Sequence, residues 1–189
     1  MSLPEHLERF LGPIREGWSG PEVGLPPGLS VARFAGPPEW HGSVEAYATL
    51  GLSRLPLRAP GSPRVYRLEL LILVDAGSVG KEPGHLLATL SAAFCKSRRA
   101  ILRGEVISDG SQLLTGTAMT ALYASKPVYL PDDFAVASTE DGDTVIVWLV
   151  PITAREADYV STHGWAAFET MLERGDTALT DPYRPALLV

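Results

Sequence analysis

Apolar and polar positions follow two periods along this chain, and the switch between them marks its elements. The strongest run is Val65-Tyr-Arg-Leu-Glu-Leu-Leu-Ile-Leu-Val74, which begins by alternating and becomes continuously apolar. That pattern predicts a central strand covered on both faces. A second buried strand is predicted over 144–150, led in by the turn Glu140-Asp-Gly-Asp143 and stopped by Pro151. Shorter strands are expected at Leu29–Phe34, Val44–Ser53 and Gly104–Ile107, with edge elements at Val128–Leu130 and Phe134–Ala137. Helical spacing predicts one amphipathic helix over 3–18, with Pro4 in its first turn and a kink at Gly12-Pro13. A second helix is expected over Glu82–Arg99, with Leu86, Leu87, Leu90, Ala93 and Phe94 as its inner stripe.

After Pro151 the pattern turns helical again. Thr153 and Glu156 have the spacing of a capping box, in which hydroxyl and carboxylate each satisfy a free backbone N–H. Two helices, about 154–162 and 164–174, should meet at His163-Gly164, with the glycine in left-handed cap geometry. Leu113–Ser125 fits either a strand or a helical turn, and Tyr183–Val189 either a last strand or a packed terminus. Loops rich in glycine and proline are expected over Gly17–Gly28 and Arg54–Pro63. Strands and helices do not alternate regularly, so a doubly wound parallel sheet is disfavoured. The expected class is α/β of the α+β type: a mixed, largely antiparallel central sheet with helices packed against it. A length of 189 residues suits one domain spanning 1–189.

Charge and composition narrow the function. A formal charge of −6 argues against nucleic acid as a partner. The cluster Lys96, Arg98, Arg99 and Arg103 reads as a solvated helix face. No basic, apolar leader opens the chain and no apolar run approaches a membrane span. The lone Cys95 allows no internal disulfide, and a cytoplasmic setting is expected. Lysine occurs only at 81, 96 and 126 while arginine is plentiful, which reads as codon bias in a GC-rich genome.

Candidate chemistry is thin. Ser53 and Ser111 follow turns, and neither sits in a Gly-x-Ser-x-Gly elbow. His6, His41, His85 and His163 lack metal-ligand spacing, and Gly77-Ser-Val-Gly80-Lys81 lacks the form of a phosphate loop. No cofactor or metal is therefore expected. Glu69 falls in an apolar strand and needs donors or a cation, an arginine being the favoured partner. Trp40 and Trp165 sit where an aromatic is either a lid on the core or an interface anchor. Asp132, Asp133, Glu140 and Asp141 are expected to cluster in one exposed acidic loop region.

Several of these residues, taken in order, resemble the suppressor-of-fused-like domain in its bacterial single-domain form. Tyr47 with Gly51-Leu52-Ser53 resembles its aromatic and Gly-Leu-Ser element, and Glu69-Leu70 its Glu-Leu step. Pro83, Leu86-Leu87 and Phe94 resemble the following helix, and Gly104-Glu105 its Gly-Asp step. Pro151-Ile-Thr153, Glu156, Gly164, Glu169 and Leu172 are similar to its C-terminal helices, and Asp181 with Arg184 to its closing pair. The tail Pro182-Tyr183-Arg184-Pro185 departs from the family's usual Leu and Ser around that arginine. The resemblance implies a non-catalytic domain that binds protein. Animal members clasp a peptide of Gli-type transcription factors, using a second domain for which this chain has no room. Bacterial members resemble immunity proteins that neutralise a toxin. Three readings follow: a binding or immunity protein, a hydrolase using Ser53 or Ser111, and a homodimeric regulatory or structural subunit.

Overall fold

A computed structural model describes residues 1–175 and 177–187. Its centre is an eight-stranded sheet, and its order explains where every buried charge ends up. The strands are β1 (Ile14–Ser19), β2 (Ser30–Phe34), β3 (Val44–Leu50), β4 (Leu57–Arg58), β5 (Val65–Tyr66) and β6 (Leu68–Asp75). They continue as β7 (Val106–Ile107), β8 (Met119–Ser125), β9 (Val136–Thr139) and β10 (Gly142–Thr153). The helices are α1 (Leu3–Leu11), α2 (Glu82–Ser97), α3 (Ala154–His163) and α4 (Trp165–Arg174). The order is β1-β2-β3-β6-β10-β8-β7, with β9 paired to the start of β10, while β4 and β5 form a separate ribbon. Every pairing in the large sheet is antiparallel except β6 with β10. The mixed, largely antiparallel sheet expected from the sequence is present.

Alternation along β6 divides the interior in two. Leu68, Leu70, Ile72 and Val74 face α2, with Tyr47, Leu87 and Phe94. Leu71 and Leu73 face the side covered by α1, α3 and α4, with Leu7, Trp148, Val160 and Phe168. Burial on both faces is what the continuous apolar run demands. The strand is broken at Arg67: Val65 and Tyr66 leave the sheet to pair with Leu57 and Arg58, inside the stretch expected to be loop.

The helix expected over 3–18 ends at Leu11. Gly12 takes φ 72°, and its added Cβ would lie 2.9 Å from the Gly36 carbonyl, so the chain must turn here. Residues 14–19 become edge strand β1, and Trp18 then lies over Gly84 of α2, where a Cβ would crowd its ring. Helical period and strand alternation both suit Ile14 and Trp18; tertiary cover by α2 decides between them. β3 ends at Leu50, and 52–54 form a 3₁₀ turn instead of continuing the strand. Leu113–Ser125 resolves into β8, preceded by turns. Val128–Leu130 forms no strand, and of Gly104–Ile107 only Val106 and Ile107 are regular strand, while Gly104 and Glu105 bond irregularly to Ala124 of β8. In α2 the buried stripe runs through Pro83, Gly84, Leu87, Ala88, Ser91 and Phe94, whereas Ala93 is exposed.

The parallel ladder of β6 and β10 lasts only from Leu68–Val145 to Leu71–Trp148. Beyond it the strands part, and the C-terminal tail enters the gap. Asp75 N–H donates to Thr180 O at 2.8 Å, and the Thr180 hydroxyl donates to the Asp75 carboxylate at 2.6 Å. β10 accordingly does not stop at Pro151 but runs on to Thr153, paired on its other side with β8. Proline is tolerated because its missing N–H faces the side β6 has left. No strand forms in the tail, and Leu188 and Val189 lie outside the described residues.

Candidate functional site

The chemistry-bearing residues gather at three places: two buried carboxylates and an acidic hairpin. The first is Glu69 on β6, fully buried. Among the described residues no arginine reaches it, contrary to expectation. Its Oε1 accepts from Gly51 N–H (2.9 Å), Ser53 N–H (3.0 Å) and the Ser53 hydroxyl (2.7 Å). Its Oε2 accepts from the Thr49 hydroxyl (2.6 Å) and Leu52 N–H (3.3 Å). Thr49 Oγ1 in turn accepts from Leu70 N–H, standing in for a ladder carbonyl just where the β3–β6 register ends. The carboxylate thus satisfies the free N–H groups that open the 52–54 turn, as an N-cap does for a helix. Gly51 must be glycine: its φ is 102°, and a Cβ would stand 2.2 Å from Gly28 O. Burial pushes the Glu69 carboxyl above its ordinary range, and the hydrogen bonds from Thr49, Ser53 and Gly51 offset part of that push.

The second carboxylate is Glu156, also fully buried. The capping box is formed as its spacing predicts: Thr153 Oγ1 accepts from Glu156 N–H at 3.3 Å, and Thr153 N–H donates to Oε2 at 2.7 Å. The Thr153 hydroxyl donates to the same oxygen at 3.0 Å. Arg184 then adds a two-pronged pair, Nη1 to Oε1 at 2.6 Å and Nη2 to Oε2 at 3.1 Å. It also donates to Pro151 O at 3.2 Å, and Leu187 N–H donates to Oε1 at 3.2 Å. Burial alone would push this carboxyl up. The Arg184 guanidinium and the Thr153 and Leu187 N–H groups outweigh it, and hold the group below its ordinary range. Sequence spacing showed the cap but not its arginine. Asp181, expected to close with Arg184, instead accepts from Tyr183 N–H at 2.8 Å in the tail turn. Gly164 joins α3 to α4 at φ 83° and ψ 161°, an extended positive-φ geometry and not the left-handed cap.

The four acids do not form one loop cluster. Asp132 and Asp133 precede β9 and Glu140 and Asp141 follow it, so the strand holds the two pairs apart. Asp132 pairs with Lys126, which holds its carboxyl below the ordinary range, and Asp133 lies 3.7 Å from Arg9. Glu140 and Asp141 border a hollow of about 400 Å³ together with Ser53, Arg54 and the first residues of α1. No histidine lines that hollow, and the Ser53 hydroxyl is committed to Glu69. Ser111 is exposed, and its hydroxyl donates to Asp109. His6 is buried against the Phe134 carbonyl, and His163 sits at the end of α3. Among the described residues no group of three or more His, Cys, Asp or Glu is placed to hold a metal.

The two tryptophans differ. Trp40 packs on the α1/α3 side with its ring edge-on to Tyr129, at 6.2 Å between centroids. Trp165 is 44% exposed, lies against Gly104 and carries the Arg103 guanidinium over its ring at 5.0 Å. Arg103 also pairs with Glu169, which accepts from the Tyr123 hydroxyl at 3.0 Å. Burial and the Glu169 contact push that phenol well above its ordinary range.

This ordered set is the one a family pattern would register. The sequence pattern of suppressor of fused protein (SUFU) matches residues 26–185. The chain belongs to the suppressor of fused family. Solved structures agree at the level of fold. A SUFU homologue from Neisseria gonorrhoeae is 18% identical with a TM-score of 0.76, over 98% of this chain and 94% of that one. The Sufu–Fu complex gives 14% identity and a TM-score of 0.73, over 98% of this chain and 90% of that one. Drosophila Suppressor of Fused gives 15% and 0.62, over 84% of this SUFU-family chain and only 42% of its own. No curated protein matches the chain. Among the described residues no helix is long and apolar enough to cross a membrane.

Proposed function

We propose that this chain acts by binding a protein partner and carries out no catalysis of its own. The observation that carries the reading is the internal use of Glu69, Glu156 and Ser53, the buried groups that could otherwise have served a reaction. Both buried carboxylates spend their described contacts on the N–H groups and hydroxyls of nearby turns and caps and, at Glu156, on the tail, and the buried serine beside a carboxylate serves a turn. What is left for solvent is surface. Membership in a family that includes a protein solved as a Sufu–Fu complex supports the same reading.

Within that reading we take the finer role to be that of a cytoplasmic immunity protein facing a basic toxin. The net charge of −6 and the exposed Glu140–Asp141 tip supply the complementary field. The test is co-expression and purification with the product of the neighbouring gene, followed by association kinetics across a salt series. Association should slow as salt rises, because steering is screened over about 10 Å at 0.1 M. Reversal of Glu140 and Asp141 to lysine should slow it further. A salt-independent rate removes the electrostatic part. Turnover of a substrate, lost in a folded Ser53→Ala or Ser111→Ala variant, removes the whole reading in favour of a hydrolase.

A further inference from the structure

An open groove lies away from the acidic tip, on the other side of the β9–β10 hairpin, and its charge is opposite to that of the chain. It encloses about 550 Å³ between the start of β6, the 101–103 loop, the end of β8 and the start of β10. Its apolar floor includes three valines left open to solvent: Val65 at 45%, Val136 at 44% and Val145 at 45%. Exposed aliphatic side chains gathered in a concavity mark a contact surface more than scattered ones do. Four cations line it, Arg64, Arg67, Arg103 and Lys126, against one acid, Asp143. Asp143 accepts from the Ser138 hydroxyl at 2.7 Å. Arg103 and Lys126 have acidic partners in Glu169 and Asp132. Arg64 and Arg67 are exposed and make no ion pair among the described residues. A chain with 22 acids and 16 Lys and Arg thus keeps uncompensated positive charge at one apolar groove.

We infer that this groove docks an extended segment of the partner protein in which acidic and apolar residues alternate. An extended segment sends successive side chains to opposite sides. Apolar residues would then reach the valine floor while carboxylates meet the arginines at the rim. Arginine suits that task because its planar fork matches a carboxylate. The floor is mainly aliphatic, and the one aromatic among its described lining residues, Tyr66, lies under the Arg64 guanidinium at 5.8 Å, so a polynucleotide, which needs open rings for its bases, fits it poorly. The inference deepens the protein-binding reading and rests on it.

The experiment uses the full chain and a labelled peptide of alternating glutamate and valine, with a lysine–valine peptide as its counterpart, read by fluorescence anisotropy. The acidic peptide should bind, weaken with salt and outcompete its counterpart. Arg64→Glu with Arg67→Glu should lower its affinity by about tenfold or more. Val145→Thr should lower it several-fold, whereas Arg15→Glu on β1 should leave it unchanged. Amide shifts in NMR should concentrate at 64–68 and 143–147. Circular dichroism checks folding, and Arg67→Gln is the milder variant if the double reversal unfolds. Equal binding of both peptides, or indifference to the arginine reversals, overturns the inference. Tighter binding of a single-stranded oligonucleotide overturns it too. Self-association lost in the reversed variant would assign the groove to a second copy instead. A partner that still binds the double variant sinks the groove but leaves the protein-binding reading standing.

Discussion

Glu69 and Glu156 pose one physical problem and solve it differently. Both carboxylates are fully buried, and each accepts five hydrogen bonds. At Glu69 every donor is neutral, and all come from the short stretch 49–53. At Glu156 two of the five come from a guanidinium 28 residues away, and one from Leu187 N–H beyond it. The first carboxylate therefore organises a local turn, whereas the second ties the end of the described chain to a helix start. Dipoles alone leave Glu69 with its ionised form disfavoured, while a positive charge brings Glu156 below its ordinary range. The lesson is that the number of hydrogen bonds does not set the electrostatic balance; the depth of burial and the charge of the donors do.

The sharpest way to break this comparison is to remove the cation. Arg184→Ala leaves Glu156 charged, buried and short of two donors, and should cost about 3–5 kcal/mol in a urea unfolding curve. A loss under about 1 kcal/mol, the range of surface pairs, would mean the pair is not desolvated in solution. Glu69→Gln should cost less, about 2 kcal/mol. It keeps the shape but turns an amide nitrogen towards N–H donors, leaving one or two of them unpaired. Should the two losses come out reversed, the ranking by donor charge fails.

Stability against pH sharpens the contrast, because the two groups have opposite signs. The Glu156 value is lowered on folding, so its contribution is complete above the ordinary carboxylate range. That contribution disappears as pH falls through the lower folded value. The Glu69 value is raised, so its contribution is present below the ordinary range and is lost as pH rises through the higher folded value. The stability gap between wild type and Glu156→Gln should thus widen with rising pH, and the gap to Glu69→Gln should narrow. Neither slope should exceed about 1.4 kcal/mol per pH unit, the limit for one proton. Parallel slopes would contradict the comparison. The smallest effect is local: Thr153→Ala should cost about 1 kcal/mol, seen as a lower Tm. An unchanged melt would show that Glu156 is held by Arg184 alone.

How much of this was legible depends on the distance between partners. The Thr153–Glu156 box was readable because both halves lie within one turn of chain. The membership of Leu68–Val74 in a buried central strand was readable from a run that begins alternating and becomes continuously apolar, although the break at Arg67 and the departure of Val65 and Tyr66 into a separate ribbon were not. Glu69 stood out as a charge among leucines, but its donors are backbone N–H groups, which carry no side-chain signature, so an arginine was expected. The Glu156–Arg184 pair was hidden because each residue had a nearer explanation: a cap for one, Asp181 for the other. The 14–19 strand was misread because Ile14 and Trp18 suit a helical period as well; Gly12 and Pro13 were the better signal. The acidic cluster failed because a loop-like composition around 132–141 conceals a four-residue strand that holds its ends apart. The basic groove left no trace, since its cations come from segments spread between residues 64 and 126.

The parting of β6 from β10, and the tail that enters between them, also sets the order of events during synthesis. Asp75 waits for Thr180, and the cap at Glu156 waits for Arg184, so neither region is complete until the end of the described chain has left the ribosome. Domains fold as units during translation. Here the sheet would stand with an open seam until the segment around Thr180 and Arg184 arrives. A nascent chain stalled with residue 180 still in the exit tunnel should remain protease-sensitive, however much of its sheet has formed.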